Sequence, residues 1–309
     1  MSLIAAIAFL LNRDNGFNAN LVGAHSDRER ARYAAEAGLQ AANYAIQAKA
    51  CAGGYPTASS PVTASNFGEV DDLGYSAYAS AAAGSPLTLT STGSYNGASV
   101  TLSKPTVYAF QSGIWTWTVQ PAPGASKDTA VVSGSPASNY GSDNEFRLDS
   151  GSELLIQFNI APLPAGSRIV PWYGAGPLQP GAKLMLYRNN TASATESIYV
   201  MLITRGWSES RATWNYNSFP TTWPSPGVGY DPRPLSINPY LTVAFWQSLD
   251  LTNAAIAWRN GLYPNNGVWI RGGPLVHNAK FALSSDGNVA HRPKLVVSYL
   301  LPCGATAPS

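Results

Sequence analysis

Charge is scarce in this chain. Lys and Arg number 19 and Asp and Glu 17 in 309 residues, which is 12% of the total and leaves a formal net charge of +2. No run of basic residues offers the electrostatic footprint of a nucleic-acid surface, so that class of partner is set aside. Cysteine occurs twice, at Cys51 and Cys303, and histidine three times, at His25, His277 and His291. These are too dispersed for a Cys/His metal site. A long apolar run is also missing. The oiliest stretch, Met1 to Leu11, would reach roughly half of a bilayer's hydrocarbon core as a helix. It has neither the basic start nor the small-residue cleavage site of a secretory signal peptide.

What is abundant points to β structure. Gly 28, Pro 23 and aromatics at 11% suit many short strands joined by turns. The exception is the first fifty residues. After the oily tip comes a polar segment, NRDNGFNAN, whose Asn15-Gly16 pair predicts a break, extended or irregular, near residues 12–20. Helix signals then return, with Ser26 as the expected N-cap and Asp27 and Glu29 in the first turn. Ala31, Ala35, Leu39, Ala42, Ile46 and Ala50 recur every three or four residues, opposite Arg28, Arg32, Glu36, Gln40, Asn43 and Gln47. The small-residue face permits close approach of a sheet or another helix, and Gly53, Gly54 and Pro56 stop the helix. Cys51 lies at its end, so the two cysteines either bridge the helix to the last strand, as an oxidising compartment would allow, or remain two thiols.

The apolar tip followed by SDRERARYAAEAGLQAA resembles the N-terminal region of type IV pilin-like proteins, of the minor-pilin and pilus-assembly type. The resemblance covers about the first fifty residues. It implies a clipped leader with Met1 as the mature first residue, and Met1, Leu3, Ile4, Ile7, Phe9, Leu10 and Leu11 as a filament-core surface. Implied partners are copies of itself or other pilins in a helical filament, after transient residence in the inner membrane. Ala5 departs from the Glu usual there in major pilins, and the hydrophobic run is shorter than usual. A small pilin-like β head is expected over residues 51–112. Alternating segments YSAYAS, PLTLTSTGSY, ASVTLS and TVYAF lie within it, separated by Gly84-Ser85, Asn96-Gly97 and Lys104-Pro105. Asn96-Gly97 is a hairpin signal, and the Pro/Ala/Gly-rich residues 113–127 read as a linker.

From Asp128 alternation returns in ELLIQFNI, KLMLYRN, SIYVMLITRGW and KLVVSYLL. Asp128-Thr129, Asn139-Tyr140-Gly141, LIQFNI with LPAG, RGWSES with ATWN, DLTNAAIAWRNG, GVWIRGG and RPKLVVSY together resemble the DNRLRE family. That resemblance implies a jelly roll over residues 128–301, akin to a carbohydrate-binding module on exported proteins, with residues 302–309 as a tail. The fold class expected is α+β: a long helix with a small antiparallel sheet, then a large all-β sandwich.

Two aromatic-rich insertions exceed what turns require. Trp172, Tyr173, Trp223, Tyr230 and Tyr240 are therefore candidates for stacking on sugar or on a neighbouring subunit, beside the alternative that they cap their own loops. Trp207, Trp214 and Trp258 fall in the family motifs and are assigned to the core. Catalysis is not expected, because Glu145, Asp149, Glu153, Glu196, Glu209, Asp250 and Asp286 show no spacing that singles out an acid pair. No cofactor is expected other than calcium at oxygen-rich turns, namely Asp128 and the loop at 284–288. Asn189-Asn190-Thr191 fits a glycosylation sequon. Two functions remain: an extracellular filament subunit displaying a jelly roll for lateral contacts or glycan adhesion, and a surface-anchored carbohydrate-binding adhesin that uses the helix as an anchor. A polysaccharide-active enzyme ranks third.

Overall fold

The computed structural model describes residues 2–80, 86–120, 126–173, 178–190, 197–225, 229–239, 245–273 and 278–308, with side chains in the first helix from Val22 onward. The chain divides into two compact units, residues 1–112 with 301–306, and residues 113–300 with 307–309. The fold class is α+β, as expected.

The first unit is one helix on one sheet. Helix α1 spans Ser2–Lys49, so the backbone runs helically through residues 12–20 and the expected break is absent there. Ser26 is consequently interior to α1 rather than its N-cap. Asn and Gly have poor helix propensity, about 0.7 to 1 kcal/mol each, and helical neighbours on both sides outweigh that. Among the described residues no helix is long and apolar enough to cross a membrane. A single 3-10 turn follows α1, and Gly53 and Gly54, both at positive φ, turn the chain away as anticipated.

Strands β1 (Val62–Ala64), β2 (Gly74–Ser80), β3 (Leu87–Tyr95) and β4 (Ala98–Val107) form an antiparallel sheet in sequence order. Asn96 and Gly97 make the predicted two-residue turn, both at positive φ, between paired Tyr95 and Ala98. Lys104-Pro105 does not end a strand: β4 runs through it at the sheet edge, with a register shift opposite Leu87 and Leu89, where a missing N–H is tolerated.

Ala31, Ala34, Ala35, Ala42 and Ile46 of α1 are fully buried. They sit where the small-residue periodicity placed them, with Ala34 added. The seat is tight, since a Cβ on Gly93 of β3 would overlap the Ala31 carbonyl oxygen and the Ala35 amide nitrogen. Ala77, Leu87, Leu89, Val107 and Ala109 complete this core together with Cys303. Cys303 is bonded to Cys51, with Cα atoms 5.4 Å apart, which decides between bridge and free thiols. The chain end is held further where Gln111 Nε2 donates to the carbonyls of Pro302 and Ala305. Residues 301–306 thus belong to the first unit instead of forming the jelly-roll end and a free tail.

On the side of α1 turned from this core, Val22, Tyr33 and Tyr44 are 71%, 64% and 77% exposed. Their spacing of eleven residues is three helical turns with a drift of only about 20°. They lie singly, about 16 Å apart along α1, among the polar residues of the side opposite the buried alanines.

The second unit begins inside the supposed linker, where WTWTV forms β5 (Trp115–Val119). It continues with β6 (Ser126–Val132), β7 (Glu145–Leu148), β8 (Ser152–Phe158), β9 (Arg168–Ile169), β10 (Trp172–Tyr173), β11 (Leu178–Gln179), β12 (Ala182–Tyr187) and β13 (Ser197–Leu202). Then come β14 (Tyr216–Ser218), β15 (Thr221–Thr222), β16 (Ser236–Pro239), β17 (Trp246–Asp250), the short helix α2 (Thr252–Arg259), β18 (Val268–Gly272), β19 (Ala279–Ala282) and β20 (Lys294–Leu300).

One sheet has the order β17-β12-β20-β5, with β9 added on β20; the other has the order β16-β13-β18-β8-β6. All pairings are antiparallel. Alternation fills the space between the sheets with Leu184, Leu186, Leu249, Leu295 and Val297 from the first and Leu154, Ile156, Ile198, Val200 and Ile270 from the second, all buried. Ser236 Oγ donates to the Asp250 carbonyl, and Asp250 N–H to Asn238 Oδ1, stitching the two sheets along one edge.

Candidate glycan-binding site

The second sheet is buried on its inner face and over part of its outer face, and the site lies where the outer cover stops. Its outer face carries Val131, Leu155, Met201 and Trp269, covered by residues 203–225 and 229–231 with Trp207, Trp223 and Ala212 buried and Trp214 and Tyr230 half-buried. The Asn-Tyr-Gly motif fastens this cover. Asn139 Nδ2 donates to the carbonyls of Glu209 and Ala212, both at 2.7 Å. Trp207 Nε1 donates to the Asn266 carbonyl and Trp223 Nε1 to that of Thr213. Trp223 and Tyr230 meet the Trp269 ring at centroid distances of 5.2 and 5.0 Å.

Where the cover ends, a charge is enclosed. Glu153 in β8 is buried, its Oε2 accepting from Trp269 Nε1. Its Oε1 lies 3.4 Å from Nε of Arg271 in β18, whose Nη1 donates to the Tyr230 hydroxyl at 3.1 Å. Burial pushes the Glu153 carboxyl up, and Arg271 and the Trp269 hydrogen bond pull it back. The Tyr230 hydroxyl is raised by burial and by the Glu153 charge. Arg271 is thereby fixed from behind while it lines a cleft of about 350 Å³ with Ser150, Tyr199, Met201, Pro232, Pro234, Gly272 and Gly273. An aromatic side chain, two prolines, backbone-exposing glycines and one preorganised guanidinium suit a sugar ring with oxygen acceptors. Among the described lining residues there is no carboxylate.

A model of carbohydrate-binding module family 96 matches residues 121–299. The chain belongs to this family. The CBM96 match covers the sandwich almost from end to end, and no curated protein matches the chain.

The aromatic candidates fare unequally within the CBM96 module. Trp172 is half-buried in the β10-β11 hairpin. The Tyr173 side chain and all of Tyr240 fall outside the described residues, as does His277. Trp223 is 2% exposed and is a core residue of the cover, so it is corrected from contact to packing. Tyr230 is half-buried against Trp269 and accepts a hydrogen bond from Arg271, but is not itself one of the cleft's lining residues. Trp207 and Trp258 are buried as assigned, Trp214 only half so. The filament-core candidates Met1 to Leu11 lie outside the described side chains.

The acids differ in their surroundings. Glu145 pairs with Lys280 at 2.8 Å and Asp149 with Arg147 at 2.6 Å, whereas Glu153 and Asp128 are buried. Asn189 of the sequon donates to Glu145 Oε2, and Thr191 lies outside the described residues.

A second trough, of about 330 Å³, lies on the outer face of the first sheet between Thr118, Lys183, Met185, Trp246, Lys294 and Val296. Lys294 Nζ stands 4.0 Å over the Trp246 ring and takes the ring face on which a sugar would stack. The Tyr199 and Arg271 cleft is therefore the better candidate. The sequence could have flagged Glu153 as the lone charge opening an otherwise apolar strand. Its union with Arg271 and Tyr199 follows only from strand register, since Tyr199 pairs with Arg271 across β13 and β18.

Proposed function

We propose that this protein is a non-catalytic, exported glycan-binding subunit of a type IV pilus-like filament. Its sandwich takes a surface polysaccharide at the Tyr199 and Arg271 cleft, and its helix packs with copies of itself or with other pilins. Membership of a carbohydrate-binding family, joined to a cleft with a backed guanidinium, carries the binding half. The assembly half rests on the pilin-like sequence of the first fifty residues. Residence at the cell surface, after an inner-membrane pool, agrees with the Cys51–Cys303 bond.

Two experiments separate the halves. Panel binding of the full-length protein to polysaccharides is expected to find a ligand, with affinity reduced at least tenfold in Tyr199→Ala; a wild-type protein that binds none removes the binding half. In cells, deletion of residues 1–11 is expected to abolish incorporation into surface filaments while leaving a folded protein. Filaments that still contain the truncated chain would remove the assembly half and favour the anchored adhesin.

A further inference from the structure

On the outer face of the second sheet one row of side chains crosses three strands. Tyr199 of β13 pairs with Arg271 of β18, and the pairing of Ile270 with Leu154 puts Glu153 of β8 on the far side of Arg271. Exposure falls along the row, the Arg271 side chain being 44% and the Glu153 side chain 5% exposed. Tyr199 and Arg271 line the cleft, and Glu153 does not.

The guanidinium is held by Glu153 Oε1, 3.4 Å from its Nε, and by the Tyr230 hydroxyl, 3.1 Å from its Nη1. Arginine is rich in rotamers, and a half-exposed one keeps a single pose only while such partners fix it. Nothing else around Glu153 can take over its charge. It faces Trp269 and Arg271 from β18, Tyr230 from the cover, and its strand partner on β6 is apolar Val131. The Tyr230 phenol is held neutral by burial and by Glu153 itself.

We propose that Glu153 is a positioning residue for glycan recognition: its carboxylate, set behind the cleft, holds the Arg271 guanidinium in place, so that binding is coupled to the ionisation of Glu153. This rests on the Tyr199 and Arg271 cleft being the glycan site. Acidification removes the Glu153 charge and frees Arg271 to leave its pose. The sign separates this effect from damage to the fold. Because burial raises the Glu153 carboxyl, the protonated form is the one that folding favours. Weaker binding at low pH therefore accompanies a sandwich that this group makes more stable, not less.

Two measurements on the full-length protein test this between neutral pH and the ordinary glutamate value of 4.5. The first is calorimetric titration with the tightest-binding polysaccharide of the panel. Wild-type affinity should fall roughly three- to tenfold on acidification, the range for one long side chain that must be ordered on binding. Glu153→Gln should bind weakly by the same factor at every pH, and its flat profile controls for titration of the polysaccharide itself. Tyr230→Phe, which keeps the ring on Trp269, should weaken binding yet retain the pH dependence. The second is NMR of the Arg271 Nε–H in the protein without glycan, whose exchange with water should quicken as Glu153 is protonated. If Glu153→Gln does not fold, the wild-type profile and this signal carry the test. Wild-type affinity that does not change with pH, or Glu153→Gln binding as tightly as wild type, overturns the coupling and leaves the cleft as the glycan site. A wild type that binds no polysaccharide removes the cleft reading instead, and an Arg271 signal that is insensitive to pH then overturns the positioning role by itself.

Discussion

The two units solve the same burial problem with opposite materials. The first seats a helix on a sheet through Ala31, Ala34, Ala35, Gly93 and Ser91, residues with almost no side chain. The second fills two layers and a cover with Trp207, Trp223, Trp269, Phe146, Phe281 and branched aliphatics. Apolar area removed from water contributes roughly 25 cal/mol per Å², so an alanine seat yields little per residue. It depends instead on close approach and on the Cys51–Cys303 crosslink. The aromatic unit has area to spare and can bear buried charge at Glu153 and Asp128. Both units carry a cleft, of about 360 Å³ beside β2 in the first and about 350 Å³ beside Arg271 in the second; only the second is lined by a guanidinium held from behind by a buried carboxyl.

The contrast can be broken at its aromatic end first. Trp223→Ala empties a 2% exposed site against Trp269. It is expected to cost about 3 to 5 kcal/mol, lowering the sandwich transition in calorimetry and leaving that of the helix unit in place. A loss confined to ligand affinity, with unchanged unfolding, would restore Trp223 as a contact residue.

Replacing both cysteines by Ser acts on the other unit. A crosslink with a sequence separation of 252 residues would stabilise by about 5 kcal/mol in the chain-entropy picture. A sandwich that stays folded within the loop shortens the chain actually closed, so about 3 kcal/mol is expected, again read by calorimetry.

Gly93→Ala tests the seat itself. The added methyl must push α1 off β3, at about 1 to 3 kcal/mol, with faster amide exchange in α1 and none of that change in β8 or β18.

The smallest effect concerns pH. The Glu153 carboxyl is raised above its ordinary 4.5 in the folded state. Its contribution to stability is thus fully present below the ordinary glutamate range and is lost as pH rises through the raised value. Glu153→Gln should flatten that dependence of the sandwich Tm; an unchanged pH profile would mean that Arg271 and Trp269 fully offset burial.

How far the sequence could be read tracks the same divide. The buried stripe Ala31, Ala35, Ala42 and Ile46 was legible because helical period is a local property. So was the Asn96-Gly97 turn, which demands positive φ at both positions. The segment at 113–127 misled because residues 121–125, rich in Pro, Ala and Gly, adjoin a true strand, WTWTV, whose partner β20 lies far along the chain. Trp223 misled because an aromatic in a long loop looks the same whether it faces solvent or a second hydrophobic layer. Gly93 carried no signal until a helix was placed on it. The Glu153, Tyr199 and Arg271 constellation was invisible because three separate strands supply it and only their register unites them.

Hydrogen exchange of the full-length protein, with and without a saturating oligosaccharide from the best-binding polysaccharide, tests the account's central claim that glycan recognition resides in the sandwich cleft. Protection is expected around Tyr199–Met201, Tyr230–Pro234 and Arg271–Gly273, with no change in α1 or β1 to β4. Protection confined to the helix unit, or none at those three segments, would contradict it.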